Sequence, residues 1–244
     1  EELIHSHPSI LKSGTYDNKF YDSLWMNLEK NDPFNTVFIN KHKNGTFYYD
    51  KQRITPIIVD DKKHGYLIVG RDITNELKNE IHLTNLAFKD QLTSLYNRNG
   101  FEKIISKVLL NYVKNNNYYT FALVDIDYFK DINDNYGHGI GDIVLKEFAN
   151  LIHSRIRSTD YAFRWGGEEF LIILNTDIKN AYNIIDSLRN EIENYSFSNS
   201  IKLTSSFGLS ELKSANHSDT ILKSDEALYK AKNSGRNKVV ISNE

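Results

Sequence analysis

The sequence predicts an α/β sandwich built on one principal sheet, preceded by a smaller antiparallel sheet and a connecting helix. Two observations carry that reading. Before Thr74, short β-rich runs are separated by turn residues, and beyond Asp90 helical and extended apolar periodicities alternate. In the first part, between Trp25 and Thr74, residues 35–40 are β-rich and Lys43-Asn44-Gly45 is a turn. Residues 46–58 are strand-like with Pro56 near the end, and residues 60–65 turn the chain into apolar 66–69. Residues 76–89 place Leu77, Ile81, Thr84 and Phe88 on one helical stripe, narrow enough to pair with a partner helix and equally suited to lying on its own domain. In the second part, residues 99–112 read as helix, 119–125 as a buried strand and 141–156 as an amphipathic helix. Residues 161–174 read as a hairpin broken at Gly166-Gly167, and 178–192 as helix. Residues 201–209 are expected to be a strand with Ile201, Leu203, Phe207 and Leu209 on one face. A helix over 219–233 and a strand over 237–241 close the domain, and residues 115–117 form a polar loop.

Composition narrows the function classes. At ~150 residues per domain, 244 residues make one to two domains, and 40% hydrophobic with 25% charged residues describes a chain that folds. Lys+Arg 30 against Asp+Glu 32 gives a net charge of −2, so there is no broad positive field for nucleic acid, and a phosphate ligand must be gripped locally. The absence of cysteine excludes disulfides, thiolate nucleophiles, Cys-ligated metals and a flavin–cysteinyl photoadduct, and it permits a reducing compartment. No apolar run approaches the ~18 residues needed to cross a bilayer, and the opening Glu-Glu-Leu is neither a signal peptide nor an initiator methionine. The expectation is a soluble cytoplasmic protein, present here as a fragment. His5 and His7 offer imidazoles to a haem in principle, although terminal histidines are more often solvated.

The chemistry concentrates in three stretches. Arg164-Trp165-Gly166-Gly167-Glu168-Glu169-Phe170 puts two acids after a glycine pair that permits a tight hairpin and close backbone approach. Taken alone, such a tetrad is more often an exposed turn with solvated acids than a metal site. Val124-Asp125-Ile126-Asp127-Tyr128 ends a buried strand in carboxylates, at the rim where α/β sheets present ligand sites; Asp125 and Asp127 share a face, and Asp127 also suits the cap of the next helix. Gly137-His138-Gly139-Ile140-Gly141-Asp142 is a glycine-rich turn before a helix.

Together these motifs resemble the GGDEF-domain diguanylate cyclases, which condense two GTP into cyclic di-GMP. The name motif stands here in its acidic variant, Gly166-Gly167-Glu168-Glu169-Phe170. The match extends from Asp90-Gln91-Leu92-Thr93-Ser94-Leu95-Tyr96-Asn97-Arg98 to Asp225-Glu226-Ala227-Leu228-Tyr229-Lys230-Ala231-Lys232-Asn233-Ser234-Gly235-Arg236-Asn237, about residues 84–241 in all. The resemblance implies a mainly antiparallel central sheet flanked by helices, like that of nucleotidyl cyclases and polymerase palms. It implies two Mg²⁺ or Mn²⁺ per site during catalysis, held by Asp125, the Ile126 carbonyl and Glu168, with Glu169 assisting the metal or accepting a proton. Guanine is implied to meet Asn133 and Asp142, with His138 nearby. The triphosphate is implied to meet Lys130, Lys232, Arg236 and the amides of Tyr128, Phe129 and Lys130. Arg157-Ser158-Thr159-Asp160 matches the spacing of the family's product-inhibition site, where cyclic di-GMP binds, with Arg189 the candidate second arginine. Isolated, that spacing equally describes a local surface pair.

The front segment, residues 1–74, resembles the later part of a PAS sensor domain. The match runs through Phe20-Tyr21, Leu24-Trp25, Asn40-Lys41-His42-Lys43-Asn44-Gly45-Thr46-Phe47-Tyr48, Ile54-Thr55-Pro56-Ile57 and Gly70-Arg71-Asp72-Ile73-Thr74, without the strands that usually open such a domain. A linker helix over 75–89 and a catalytic domain over 90–244 would follow. Each catalytic domain holds one GTP, so the resemblance implies a homodimer. The alternative is a silent receptor for GTP or cyclic di-GMP acting through protein partners.

Overall fold

The computed structural model describes residues 8–115 and 117–243, so His5 and His7 lie outside the described residues. The chain forms two compact units, Glu1–Leu83 and Thr84–Glu244.

In the first unit, helix α1 (Asn18–Glu29) precedes an antiparallel sheet ordered β1 (Phe34–Lys41), β2 (Phe47–Val59) and β3 (Lys62–Asp72). The helix takes in Trp25, which the sequence reading placed at the start of a strand-forming region. Asp17 caps it by accepting from the Phe20 N–H at 3.0 Å, and Leu24 and Leu28, one turn apart, pack with Ile54. The β2–β3 turn is also tighter than expected. Asp60 and Asp61 take φ of 49° and 58°, the left-handed pair of a two-residue hairpin, and the extra residue before Gly65 is absorbed as a bulge beside Ile57 and Ile58.

Helix α2 (Thr74–Phe88) carries the apolar stripe, and none of its residues is buried; Ile81 is 61% exposed.

The second unit is a five-stranded sheet ordered β5 (Tyr161–Gly166), β6 (Glu169–Leu174), β4 (Thr120–Ile126), β7 (Ser205–Glu211) and β8 (Val239–Ile241). Only the β7–β8 pairing is parallel, in accord with the expected mainly antiparallel sheet. Central β4 is buried throughout, and its period of two divides the core. Ala122, Val124 and Ile126 share one cluster with side chains of α4 (Phe129–Tyr136), α5 (His138–Arg155) and α6 (Ile178–Asn194). Phe121 and Leu123 share the other with Phe101 and Ile105 of α3 (Arg98–Asn115) and Leu228 of α7 (His217–Asn233).

Close approach of α7 to the sheet depends on Gly208, where a Cβ would stand 2.1 Å from the Ser224 carbonyl oxygen. Several boundaries differ from expectation, among them three in this unit. Ile201 and Leu203 are buried as foreseen but lie before β7, which begins at Ser205; α5 begins at His138 rather than Gly141; and Asn115 ends α3 instead of opening a loop.

Candidate active site

Strand pairing builds the rim. Asp125, one residue from the end of β4, sits opposite Glu169 at the start of β6. Opposed antiparallel partners project to the same face with Cβ atoms roughly 5 Å apart, so two like charges meet there. Glu168 lies in the turn immediately before. The consequence registers on Asp125, which is 8% exposed: burial first, then the charges of Glu168 and Glu169, push its carboxyl above the usual carboxylate range. Lys232, in the last turn of α7, opposes them with its Nζ 2.7 Å from Asp125 Oδ2. Ile126 ends the strand, 1% exposed.

The hairpin bearing Glu168 is fixed by two arginines to which the sequence reading gave no role. Arg164 donates from Nε to the Gly167 carbonyl at 3.0 Å and from Nη1 to Asp90 at 3.1 Å, and Gly167 itself has a φ of 48°. Arg98 donates from Nε to the Trp165 carbonyl at 2.7 Å and stacks over the Trp165 ring. Asp90 and Arg98 stood inside a recognised motif, but their partners lie 74 and 67 residues away.

Asp127 does not cap α4. The residue before the helix, Tyr128, has a left-handed φ of 57° and provides no side-chain cap. Asp127, 3% exposed, instead accepts from Ser206 Oγ and Thr204 Oγ1, each at 2.7 Å, and from the Asn237 N–H at 3.1 Å. It thereby pins the loop that follows α7. In that loop the Arg236 guanidinium lies 4.4 Å from the centre of the exposed Tyr128 ring and donates to its hydroxyl. The Phe129 side chain belongs to the core, so only its backbone can face a ligand, while Lys130 is exposed. Across from them, Asn133 Oδ1 lies 2.0 Å from where a Cβ at Gly141 would stand, which brings Asn133 against the first turn of α5 beside the exposed Asp142. His138, expected in a turn, is the first residue of α5 and is exposed.

Arg157 and Asp160 adjoin one groove of about 600 Å³ that Tyr96 and His153 also line. Asp160 is committed to the local turn: its carboxylate accepts from the Arg157 and Asn175 N–H groups, both at 2.9 Å. Arg189 is placed differently from expectation. It bonds Asp186 at 2.8 Å, Glu193 at 3.0 Å and Asn237 at 2.9 Å, along α6 and toward the loop after α7, and does not line the cavities beside Arg157. The helical phase of α6 turns it that way.

The family model described as "Diguanylate cyclase, GGDEF domain" matches residues 87–238. The chain belongs to the GGDEF family. Diguanylate cyclase DgcM of Escherichia coli O157:H7 is 35% identical over 206 residues, covering 83% of this chain and 50% of the relative, so the chain spans about half the length of that protein. The coiled coil and GGDEF domain of DgcB from Caulobacter crescentus, solved in complex with c-di-GMP, superposes with a TM-score of 0.64 at 28% identity, over 69% of this chain and 93% of that one. The active GGEEF domain of a diguanylate cyclase from Vibrio cholerae gives 0.57 at 32% identity, over 61% and 97%.

The GGDEF rim offers a donor set suited to a hard divalent cation. Asp125, Glu168 and Glu169 supply carboxylate oxygens within electrostatic reach of one another, and the Lys232 ammonium pairs with Asp125. Among the described residues, no three carboxylate or imidazole side chains are gathered about one point, and Asp125 is paired with Lys232.

Proposed function

We propose that this GGDEF chain is a diguanylate cyclase that joins two GTP into cyclic di-GMP with release of two pyrophosphates. The observation that carries the reading is the register of Asp125 against Glu169, which draws acids 43 and 44 positions from Asp125 in sequence to one end of the sheet. In each of two steps, a 3′-oxygen of one GTP bonds the α-phosphorus of the other, and the bond to the leaving pyrophosphate breaks. Mg²⁺ or Mn²⁺, two per site during catalysis and held by Asp125, the Ile126 carbonyl and Glu168, would neutralise charge on the triphosphate.

The chain's own groups do the rest. Asn133 and Asp142 meet the N1–H and N2–H₂ edge of guanine, with His138 alongside; adenine lacks that donor pair and would strand a desolvated carboxylate, at a cost of about 1–3 kcal/mol. Lys130, Lys232, Arg236 and the first-turn amides over Tyr128, Phe129 and Lys130 hold phosphate oxygens. Glu169 stands ready to assist the cation or take the hydroxyl proton.

Each domain holds one GTP, so two must face each other. The unburied stripe of α2 supports a homodimer joined through that helix. Residues 1–74 are proposed as a PAS-type sensor segment, 75–89 as its signalling linker and 90–244 as the cyclase, acting in the cytoplasm. The first unit's own cavity of about 490 Å³, lined by Trp25, Phe38, Asn40, Gln52 and Ile54, supports a sensing role. Arg157 and Asp160 are the proposed product-inhibition site, without Arg189.

The test is to incubate the protein with Mg²⁺ and either GTP or ATP and separate the products by chromatography. Cyclic di-GMP from GTP alone is expected. GTP binding without product would make the chain a receptor, and product from ATP would move it to another cyclase class.

A further inference from the structure

Of the three cations matched to the triphosphate, Lys130, Lys232 and Arg236, the last two are engaged at the β4–α4 corner. Arg236 stacks on Tyr128, and Lys232 is ion-paired to Asp125 at 2.7 Å, with side chains 30% and 11% exposed for the lysine and the aspartate. Only the second contact falls on a residue assigned to metal. An ammonium in contact with a carboxylate both consumes its charge and repels any dication approaching the same oxygens, and at this depth the repulsion is weakly screened.

We propose that Lys232 and a divalent cation compete for Asp125, and that nucleotide resolves the competition by giving the ammonium a second anion, the triphosphate. Metal and GTP would then bind with positive coupling: each is weaker alone because the lysine stands on the metal's ligand. The proposal rests on the assignment of Asp125 to metal made above.

The surroundings permit a side-chain swing without helix movement. The Ser234 N–H closes the end of α7 on the Lys230 carbonyl, the Arg236 N–H bonds the Ala231 carbonyl, and the Asn237 N–H is pinned by Asp127. The backbone around Lys232 is therefore tied down, while its flexible four-carbon stem allows the ammonium to reposition. Glu168 and Glu169 give this exchange its urgency, since whenever the lysine leaves, Asp125 faces two further acids that require a replacement cation.

The test is a titration of the full chain with Mn²⁺, following free Mn²⁺ by electron paramagnetic resonance, with and without a non-reactive α,β-methylene GTP analogue. Lys232→Met should bind Mn²⁺ alone about tenfold more tightly than wild type, yet bind the analogue in the presence of Mn²⁺ about tenfold more weakly. Lys232→Arg, which keeps the charge, should keep the wild-type Mn²⁺ affinity, and Asp125→Asn should abolish the gain seen in Lys232→Met. Circular dichroism of each variant should match wild type. If Lys232→Met binds Mn²⁺ no more tightly while Asp125→Asn weakens binding, the exchange is wrong and the metal assignment stands. If Asp125→Asn leaves Mn²⁺ binding unchanged, or no form binds Mn²⁺, the assignment of Asp125 fails and takes the exchange with it.

Discussion

Replacing Asp127 tests how the site's cationic loop is held. Its carboxylate is buried and receives three donors, Thr204 Oγ1, Ser206 Oγ and the Asn237 N–H. Arg236 and Asn237 both adopt left-handed backbone, with φ of 58° and 47°, a conformation that costs a non-glycine residue about 1–2 kcal/mol. Hydrogen bonds to a charged group contribute about 1.5–3 kcal/mol each; the half-buried Thr204 hydroxyl can turn to water, whereas the fully buried Ser206 hydroxyl cannot. Asp127→Ala should therefore cost the second unit about 3–5 kcal/mol, less than the plain sum because the strained loop relaxes. Asp127→Asn keeps one acceptor oxygen for Thr204 and Asn237 while the Ser206 hydroxyl rotates to accept, so it should cost only about 1–2 kcal/mol. Urea unfolding followed by Trp165 fluorescence in a Trp25→Phe background isolates the second unit, because these are the chain's two tryptophans. Amide hydrogen exchange should show Asn237 losing protection in the alanine variant, and affinity for the GTP analogue should fall with it. An alanine variant within about 1 kcal/mol of wild type, with Asn237 still protected, would refute the assignment of Asp127 as the loop's anchor.

The remaining expectations concern the rim, the packing and the inhibition site. Glu168→Ala should abolish cyclic di-GMP formation with an unchanged circular dichroism spectrum, and residual activity near wild type would remove Glu168 from the metal set. Gly208→Ala should lower stability by about 3 kcal/mol, since its Cβ meets backbone atoms of α7 that cannot rotate away; urea midpoints would read the loss, and an unaltered midpoint would contradict the packing. Partial burial works against the charge on Asp90, but the Thr93 hydroxyl and N–H and the Arg164 guanidinium outweigh it and hold the carboxyl below its usual range. Its stabilisation is therefore present above the unfolded carboxylate value and lost as pH falls through the depressed folded one, so the advantage of wild type over Asp90→Asn should shrink at roughly pH 5 and below. A difference that grew on acidification would reverse that sign. Arg157→Ala should relieve inhibition by added cyclic di-GMP while Arg189→Ala leaves it intact, and the opposite pattern would restore Arg189 to the inhibitory site.

Local signals were legible where burial is continuous or periodic. Strand β4 is apolar along most of its length, and Val144, Leu145, Phe148 and Ile152 on α5 repeat at helical spacing, so both elements follow from the sequence. Helix α1 was hidden because Phe20, Tyr21 and Trp25 are strand-favouring residues, and the deciding contact of Leu24 and Leu28 with Ile54 is tertiary. The acids of the rim were legible as residues, through a family motif, but their juxtaposition is a matter of register, which no local pattern encodes. Asp127 was misjudged for the same reason: its partners are 77, 79 and 110 residues away, while a helix start adjoins it in sequence. The arginines clamping the hairpin and the turn of Arg189 toward the loop after α7 likewise depend on contacts that only the folded chain supplies.

The central claim is that Asp125 and Glu168 hold a cation beside a bound triphosphate. Crystals grown with Mn²⁺ and the α,β-methylene GTP analogue, measured for anomalous scattering at the manganese edge, test it most directly. The account predicts a manganese peak bridging Asp125, the Ile126 carbonyl, Glu168 and the phosphates, with Lys232 swung onto the nucleotide. Manganese bound elsewhere, with Asp125 still paired to Lys232 while the nucleotide is in place, would contradict it.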